Sequence, residues 1–540
     1  CNSSKSEAAG KFRYNWARTH MVRAHLRIQA AQGRSAAVLF LDLQEAFYRV
    51  LRPLALGDTM TDEAIGAMMQ RLRLPPSAMT ELARLLDLPG ATEQAGLPQH
   101  LRMAMCAIHT DTHFHVEGQS DRVRTQAGSR PGDPFADVVF GYLFSRILGV
   151  VEQKLIQEQL LDRIPEYKSG ISLVREPEQV VPERPMLGPT WMDDLAICIS
   201  GPTAIDLERK AALTAGILLE TCMEHGVTPN LSRGKTELLL ALRGKGSRNS
   251  RRAHFSERHG RQMQIVHEHG TDSIAVVGSY VHLGGKAHHS GENKVEARRR
   301  VSIANEAFNH HRRQLFQNSQ ISLQRRRELF DTLVMSKLCF GMESWTFRDQ
   351  QLVNYIHGAI IRLYKRLLKV PANDHMDDYE VLATCRLPSP KTLFRRACLR
   401  YLLTLFNCEE AVPWGLFQQD QTWCYMLKDD LHWMWQQLSN TCTLRNPADH
   451  PEEWFYITRF HKKYWKTLVH RATTLDIMKN SDNWQLRQIH FHVFDHLQSV
   501  GELNSPPPRP EVTPAKGMYG CIACGKKRSE EHTSELQSRE

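Results

Sequence analysis

The chain has 540 residues, 41% of them apolar, with a formal charge of +10 and a pI near 9.0. That length suits two to four domains, and that apolar share excludes wholesale disorder. No apolar run approaches the about 20 residues that span a bilayer, and the twelve cysteines form no pairing pattern. The expectation is a reduced, intracellular protein whose basic surface suits polyanions, nucleic acid first.

Residues 1–35 are polar and basic, with a helical pattern through Met21, Val22, His25, Leu26 and Ile28. The apolar run Ala36 to Leu41 then suits a buried strand that ends at Asp42. A carboxylate at the C-terminal end of a strand is well placed as a catalytic metal ligand. Beyond it Leu43, Ala46, Phe47 and Val50 fall on a helical stripe, where Phe47 reads equally well as core. Residues 58–105 read as helices, with a start at Thr61-Asp62-Glu63 and a break at Pro75-Pro76. His109, Asp111, His113 and His115 alternate, as metal ligands on one strand face would, but also as a solvated face does, and the solvated reading is preferred. His490, His492 and His496 are read the same way.

Gly128-Ser129-Arg130-Pro131-Gly132-Asp133 precedes a helical pattern from Val138 to Ile147. Two glycines flanking a proline turn let backbone approach a ligand closely, although a plain loop-to-helix connection has the same composition. Residues 150–189 read as a helix and then a Pro/Glu-rich loop.

TWMDDLAICIS, residues 190–200, is the stretch the rest is organised around. Asp193 and Asp194 lie between Met192 and the alternating Leu195, Ile197 and Ile199, which suits two strands joined by a tight turn carrying the acid doublet. Adjacent carboxylates repel, and a shared hard cation relieves the repulsion, so the doublet suits Mg²⁺ and phosphoryl transfer. Met376-Asp377-Asp378 is an internal control: it lacks flanking strands, precedes Tyr379-Glu380-Val381-Leu382, and reads as a solvated helix start.

Ile205 to His225 is helical, and Gly226 to Asn230 forms a turn leading to Lys235 and the strand Leu238 to Leu240. Lys235 reads as a proton donor or as a surface lysine. Residues 243–261 hold seven Lys/Arg against one Glu and read as a mobile phosphate-tracking loop. A short β segment ends at Tyr280 to Gly284, and helices follow from Asn293 to Lys369. Arg298-Arg299-Arg300, Arg312-Arg313 and Arg325-Arg326-Arg327 make a basic face for a duplex or a solvated helix surface. Residues 370–500 continue helical and hold seven of the ten tryptophans from Trp414 to Trp484. A stiff Pro-rich linker follows, then Cys521 and Cys524 as half of a Zn²⁺ site. Residues 528–540, RSEEHTSELQSRE, resemble the conceptual translation of a sequencing adapter and are left out of the fold reading.

Taken in order over about residues 20–410, these segments resemble the reverse transcriptase of non-LTR (LINE-like) retrotransposons. LFLDLQEAFYRV resembles motif A, AGSRPGDPFADVVF motif B, TWMDDLAICI motif C, Gly226 to Leu240 motif D and Tyr280 to Gly284 motif E; residues 321–345 resemble the thumb segment. The resemblance implies an α+β right-hand polymerase: a remnant of the fingers at 1–35, a palm with an antiparallel sheet and inserted finger helices at 36–290, and a helical thumb at 291–370. A helical C-terminal region at 371–504, the linker at 505–520 and the truncated zinc finger at 521–527 complete the division.

The same resemblance implies that Asp42, Asp193 and Asp194 hold two Mg²⁺ ions and that Lys235 is the acid for pyrophosphate. Phe47 would then be the gate against a ribose 2′-OH. Gly128, Arg130, Pro131 and Gly132 would line the nucleotide and template pocket, and Tyr280, Leu283 and Gly284 would form the primer grip. Arg298, Arg299, Arg300, Arg325, Arg326 and Arg327 would meet the template–primer duplex. RNA template, DNA primer and dNTPs are the expected partners, with no membrane, in a nuclear or cytoplasmic ribonucleoprotein, and an endonuclease domain is expected elsewhere in the full-length protein. The chain departs from the family at Pro131, where a Gln is usual, and more finger sequence is expected ahead of motif A than residues 1–37 supply. The competing readings are a catalytically inactive nucleic-acid-binding remnant and a group II intron-like maturase.

Overall fold

A computed structural model describes residues 15–479 apart from 58–61, 116, 119–120, 126, 130–133, 176–179, 257–259, 347–349, 372–375, 408–411 and 440–441, and beyond 479 only the strand pair Tyr519–Gly520 and Lys527–Arg528. The fold is α+β. Its strands are β1 (Ser35–Leu41), β2 (His113–His115), β3 (Arg122–Arg124), β4 (Asp162–Pro165), β5 (Glu183–Met186) and β6 (Thr190–Trp191). They continue as β7 (Asp194–Gly201), β8 (Glu237–Ala241), β9 (Gln262–His267), β10 (Gly270–Val277), β11 (Ser279–His282) and β12 (Gly285–His288). Its helices include α1 (Asn15–Ala31), α2 (Pro134–Gln157), α3 (Ala204–Glu224), α4 (Lys294–His311), α5 (Gln350–Leu368), α6 (Pro390–Asn407), α7 (Gln421–Leu438) and α8 (Pro451–Phe460).

Six strands form one sheet in the order β6-β7-β1-β8-β10-β9. The expected antiparallel sheet is in fact mixed, because β10 runs parallel to β8. β1 lies in the middle, antiparallel to both neighbours, with Leu41 opposite Leu195 and Phe40 opposite Glu237. All seven of its residues are buried, as a continuous apolar run requires when both sheet faces are covered. Ala37, Leu39 and Leu41 face α2 and α3 in the main core, whereas Ala36, Val38 and Phe40 face Val22 and Leu26 of α1.

α1 is therefore enclosed. Its Ala17, Met21 and Ile28 pack against the tryptophan-rich C-terminal helices. Its polar side chains are buried as well, and several of them reach distant partners. Arg27 Nε donates to Asp420 at 2.8 Å, Arg23 to Ser344 Oγ at 2.7 Å, and His25 pairs with the Ile199 carbonyl at 3.1 Å. A third core joins α4, α5 and the segments down to Leu393.

Three local expectations change. The basic stretch 243–261 is not wholly a loop, since Ser247–Phe255 is helical with Arg251 donating to the Leu242 carbonyl at 2.6 Å. The loop expected through 189 contains the antiparallel pair β4–β5. The hairpin β9–β10, which no sequence pattern announced, extends the sheet. No described helix is long and apolar enough to cross a membrane.

Candidate active site

Asp42 follows β1 directly, and its backbone is held from both sides. Its carbonyl accepts from Asn230 N at 2.8 Å and from the Thr236 hydroxyl at 3.1 Å, while its own N–H donates to that hydroxyl at 3.1 Å. The carboxylate is held too: Asn230 Nδ2 donates to Oδ2 at 3.2 Å and Lys235 Nζ to Oδ1 at 3.2 Å. Asn230 and Thr236 hold Asp42 in place and are not singled out by the sequence alone, although the turn that carries Asn230 is visible in it. Their role lies in long-range bonds that local patterning does not encode.

Asp193 and Asp194 arrive on the β6–β7 hairpin. Trp191 pairs with Asp194, leaving Met192 and Asp193 as a two-residue loop. Met192 sits at φ +51°, a conformation that costs a non-glycine residue on the order of 1–3 kcal/mol and is retained where the surroundings over-determine it. The β1–β7 ladder ends at the Leu41–Leu195 pair, which brings Asp42 and Asp194 to the same end of the sheet. Burial, and then the charge of Asp42, raises the Asp193 carboxyl above its ordinary value. Burial, followed by the charges of Asp193 and Asp42, pushes Asp194 up to about 6, with Lys235 opposing. Such mutual repulsion among hard oxygen donors is what a divalent cation relieves.

The oxygens of the three aspartates are not gathered as a single-ion cage. Among the described residues, only Glu220, Glu224 and Glu268 place carboxylate oxygens all within 4.8 Å of one another, and there Lys154 Nζ already sits 2.8 Å from Glu220 and 3.2 Å from Glu224. Asp42, Asp193 and Asp194 offer hard oxygen donors, the ligand type that Mg²⁺ takes.

Tyr280 joins the β11–β12 hairpin to this cluster. Its ring stacks on Phe40, centroids 4.0 Å apart, and its hydroxyl donates to the Lys235 carbonyl at 2.7 Å. Burial and the nearby charges of Asp194 and Asp42 raise the Tyr280 phenol above its ordinary value, so the hydroxyl stays protonated. Leu283 and Gly284 form the hairpin turn, with φ of +49° and +78°. Arg299 donates to the Gly284 carbonyl at 3.0 Å, and Arg300 donates to it as well, so α4 clamps the turn.

Phe47 is half-buried against Phe140, with ring centroids 4.9 Å apart, and its carbonyl accepts from Ser129 N at 2.7 Å. Gly128 N donates to the Val50 carbonyl at 2.8 Å, and a Cβ on Gly128 would meet the Tyr48 carbonyl at 2.5 Å. The segment that follows β1 and the loop that precedes α2 are thus directly bonded. Arg52, which no sequence signal marks, ties the same loop down through bonds to the carbonyls of Gly128 (2.9 Å) and His109 (2.7 Å) and to Thr112 Oγ1 (2.9 Å). Arg130, Pro131 and Gly132 lie outside the described residues, as do Cys521, Cys524, His490, His492 and His496.

The arginine clusters divide. Arg298 is exposed, but Arg300 is buried, donating to Glu296 Oε1 at 2.6 Å with its guanidinium 4.2 Å over Phe340. Arg325 is exposed beside Glu328, whereas Arg326 donates to the Phe316 carbonyl at 3.0 Å and Arg327 to the Cys385 carbonyl at 3.1 Å. Charge in sequence does not tell these apart. The four-residue alternation at 109–115 dissolves: His109 ends a helix with Nδ1 paired to the Met105 carbonyl at 2.8 Å, and His113 and His115 sit on an exposed strand. No protein-family model matches the chain, and no curated protein matches it.

Proposed function

We propose that the chain is an RNA-directed DNA polymerase of the non-LTR retrotransposon kind, adding dNTPs to a primer 3′-OH. The observation that carries this reading is the convergence of Asp42, Asp193 and Asp194, with Lys235, at one end of the β1–β7–β8 region of the sheet. Three crowded carboxylates and a single ammonium are suited to phosphoryl transfer, where positioning and charge stabilisation do most of the work.

Asp42, Asp193 and Asp194 would hold the Mg²⁺ ions, which when bound lower the charge on the triphosphate and activate the primer hydroxyl. Lys235 Nζ, now 3.2 Å from Asp42, is half-exposed and free to turn toward the departing pyrophosphate and give it a proton. Tyr280, through the Lys235 carbonyl and the Phe40 ring, holds the lysine backbone in place. Phe47, whose carbonyl accepts from Ser129 N, would bring its ring to the sugar of the incoming nucleotide. Exposed Arg298 and Arg325 would meet the duplex, and a ribonucleoprotein in the nucleus or cytoplasm is the setting this activity requires.

The test supplies an RNA template with an annealed DNA primer, four dNTPs and Mg²⁺ or Mn²⁺. A ladder of DNA products that stops when dNTPs are replaced by rNTPs is expected. Absence of extension with either ion would count against the assignment.

A further inference from the structure

The corner between α8 and the helix over 462–479 has an anchored inner side. Trp454 and Trp465 meet edge to face at 6.3 Å, and both are fully buried. Their indole N–H groups are satisfied, Trp454 donating to the Arg445 carbonyl at 2.8 Å and Trp465 to the Leu399 carbonyl at 2.9 Å. A corner so fixed is a rigid platform.

Its outer side is unusual in what it leaves in water. Tyr456 is 57% exposed, Phe460 58% and Tyr464 47%. Tyr456 and Phe460 lie one helical turn apart with ring centroids 4.9 Å from each other, and the Arg459 guanidinium stands 5.0 Å over Phe460. Every residue from Arg459 to Tyr464 is exposed, including Lys462 and Lys463. From residue 454 to 475 there are five Lys/Arg and no Asp or Glu. Among the described residues Lys462, Lys463 and Lys466 form no ion pair. The two lysines also sit in the first turn of their helix, against its dipole, which a phosphate there would offset.

Rings in solvent, interleaved with lysines that form no ion pair, match a strand whose bases are free to stack and whose phosphates seek charge. A duplex hides its base faces. A lipid surface would call for exposed aliphatic side chains beside the rings, and Ile457, Leu468 and Val469 are instead buried. We propose that this corner binds single-stranded nucleic acid, with bases on Tyr456 and Phe460 and the backbone along Arg459, Lys462 and Lys463. The proposal is independent of the aspartates, and its test uses no dNTPs.

Fluorescence anisotropy of the full chain with oligouridylate, oligothymidylate and a duplex, at two salt concentrations, measures it. Tyr456→Leu with Phe460→Leu keeps apolar bulk and removes the rings. It should weaken single-strand binding by about 10-fold or more, leave duplex binding unchanged, and leave the melting temperature unchanged because both rings are exposed. Lys462→Glu with Lys463→Glu should instead flatten the salt dependence. A strand carrying 5-iodouridine should cross-link to the peptide holding Tyr456 and Phe460. An unchanged single-strand affinity in the double Leu variant, an equal loss for duplex, or a cross-link elsewhere overturns the proposal. So does a ring-dependent affinity for phosphatidylserine vesicles that exceeds that for either oligonucleotide. Equal losses for oligouridylate and oligothymidylate would show a strand read by stacking, and a larger loss for oligouridylate would show RNA as the preferred strand; either outcome supports it.

Discussion

Asp42 follows Leu41 and Asp194 precedes Leu195, the pair that ends the β1–β7 ladder. Nothing in that placement is left to side-chain chance, since Asn230 and Thr236 fix the Asp42 backbone and the Trp191–Asp194 pair fixes the hairpin. Both carboxylates therefore lie at one end of the sheet, where the charge of Asp42 acts on Asp194, with consequences in pH and in stability.

Asp194 titrates near 6 in the folded chain, chiefly because burial disfavours its charge, against about 3.9 when unfolded. The folded state holds the proton more tightly, so this group's contribution favours folding below about pH 4 and is lost as pH rises through 6. Asp194→Asn should then stabilise the metal-free protein at pH 8 by roughly 1 kcal/mol, allowing for water around a half-buried group, and should change little at pH 4. Thermal melting with a chelator at the two pH values measures this. Greater destabilisation at pH 8 than at pH 4 would contradict it.

Gly128→Ala would place a Cβ 2.5 Å from the Tyr48 carbonyl in a backbone at φ +84°. Stability should fall by about 1–3 kcal/mol, with the loop under Phe47 displaced. Urea unfolding reads the first effect, and the KM for dNTP the second. Wild-type values for both would show that the Tyr48 carbonyl yields freely.

Phe47→Val removes the ring that packs on Phe140. If the ring excludes a 2′-OH, the ratio of rNTP to dNTP incorporation should rise by about 10–100-fold while dNTP use changes less. An unchanged ratio with lowered stability would show Phe47 to be packing alone.

The arginines separate stability from binding. Arg300→Ala removes one charge-assisted bond from buried Glu296, which keeps Arg23, Arg299 and the Lys286 N–H, and should cost roughly 1.5–3 kcal/mol. Charge reversal at Arg298 and Arg325 should spare stability and flatten the log–log salt dependence of duplex binding by about one unit for each phosphate that is no longer neutralised. Paired melting and filter-binding measurements separate the two, and an unchanged slope would mark that surface as merely solvated.

What the sequence made legible follows from how local each signal is. β1 was readable because a strand covered on both faces needs an unbroken apolar run, and the acid doublet because strands flank it. The helix start at Asp378 was readable for the same local reason. The enclosure of α1 was not, because Arg23, His25 and Arg27 find their partners at Ser344, Ile199 and Asp420, hundreds of residues away in two of the three cases. The helix Ser247–Phe255 was hidden by its glycine- and serine-rich, basic surroundings. Arg298 and Arg300 look alike in sequence and differ only because the β11–β12 turn and Phe340 lie against one side of α4.

The most direct measurement compares the chain with its Asp193→Asn variant in Mg²⁺-dependent primer extension on an RNA template, alongside the affinity of each for the template–primer duplex. Charge stabilisation at the transferring phosphate is a transition-state effect, so extension should fall by about 1,000-fold or more while duplex affinity stays within about twofold. Extension by the Asn variant at the wild-type rate would contradict the placement of the chemistry at Asp42, Asp193 and Asp194.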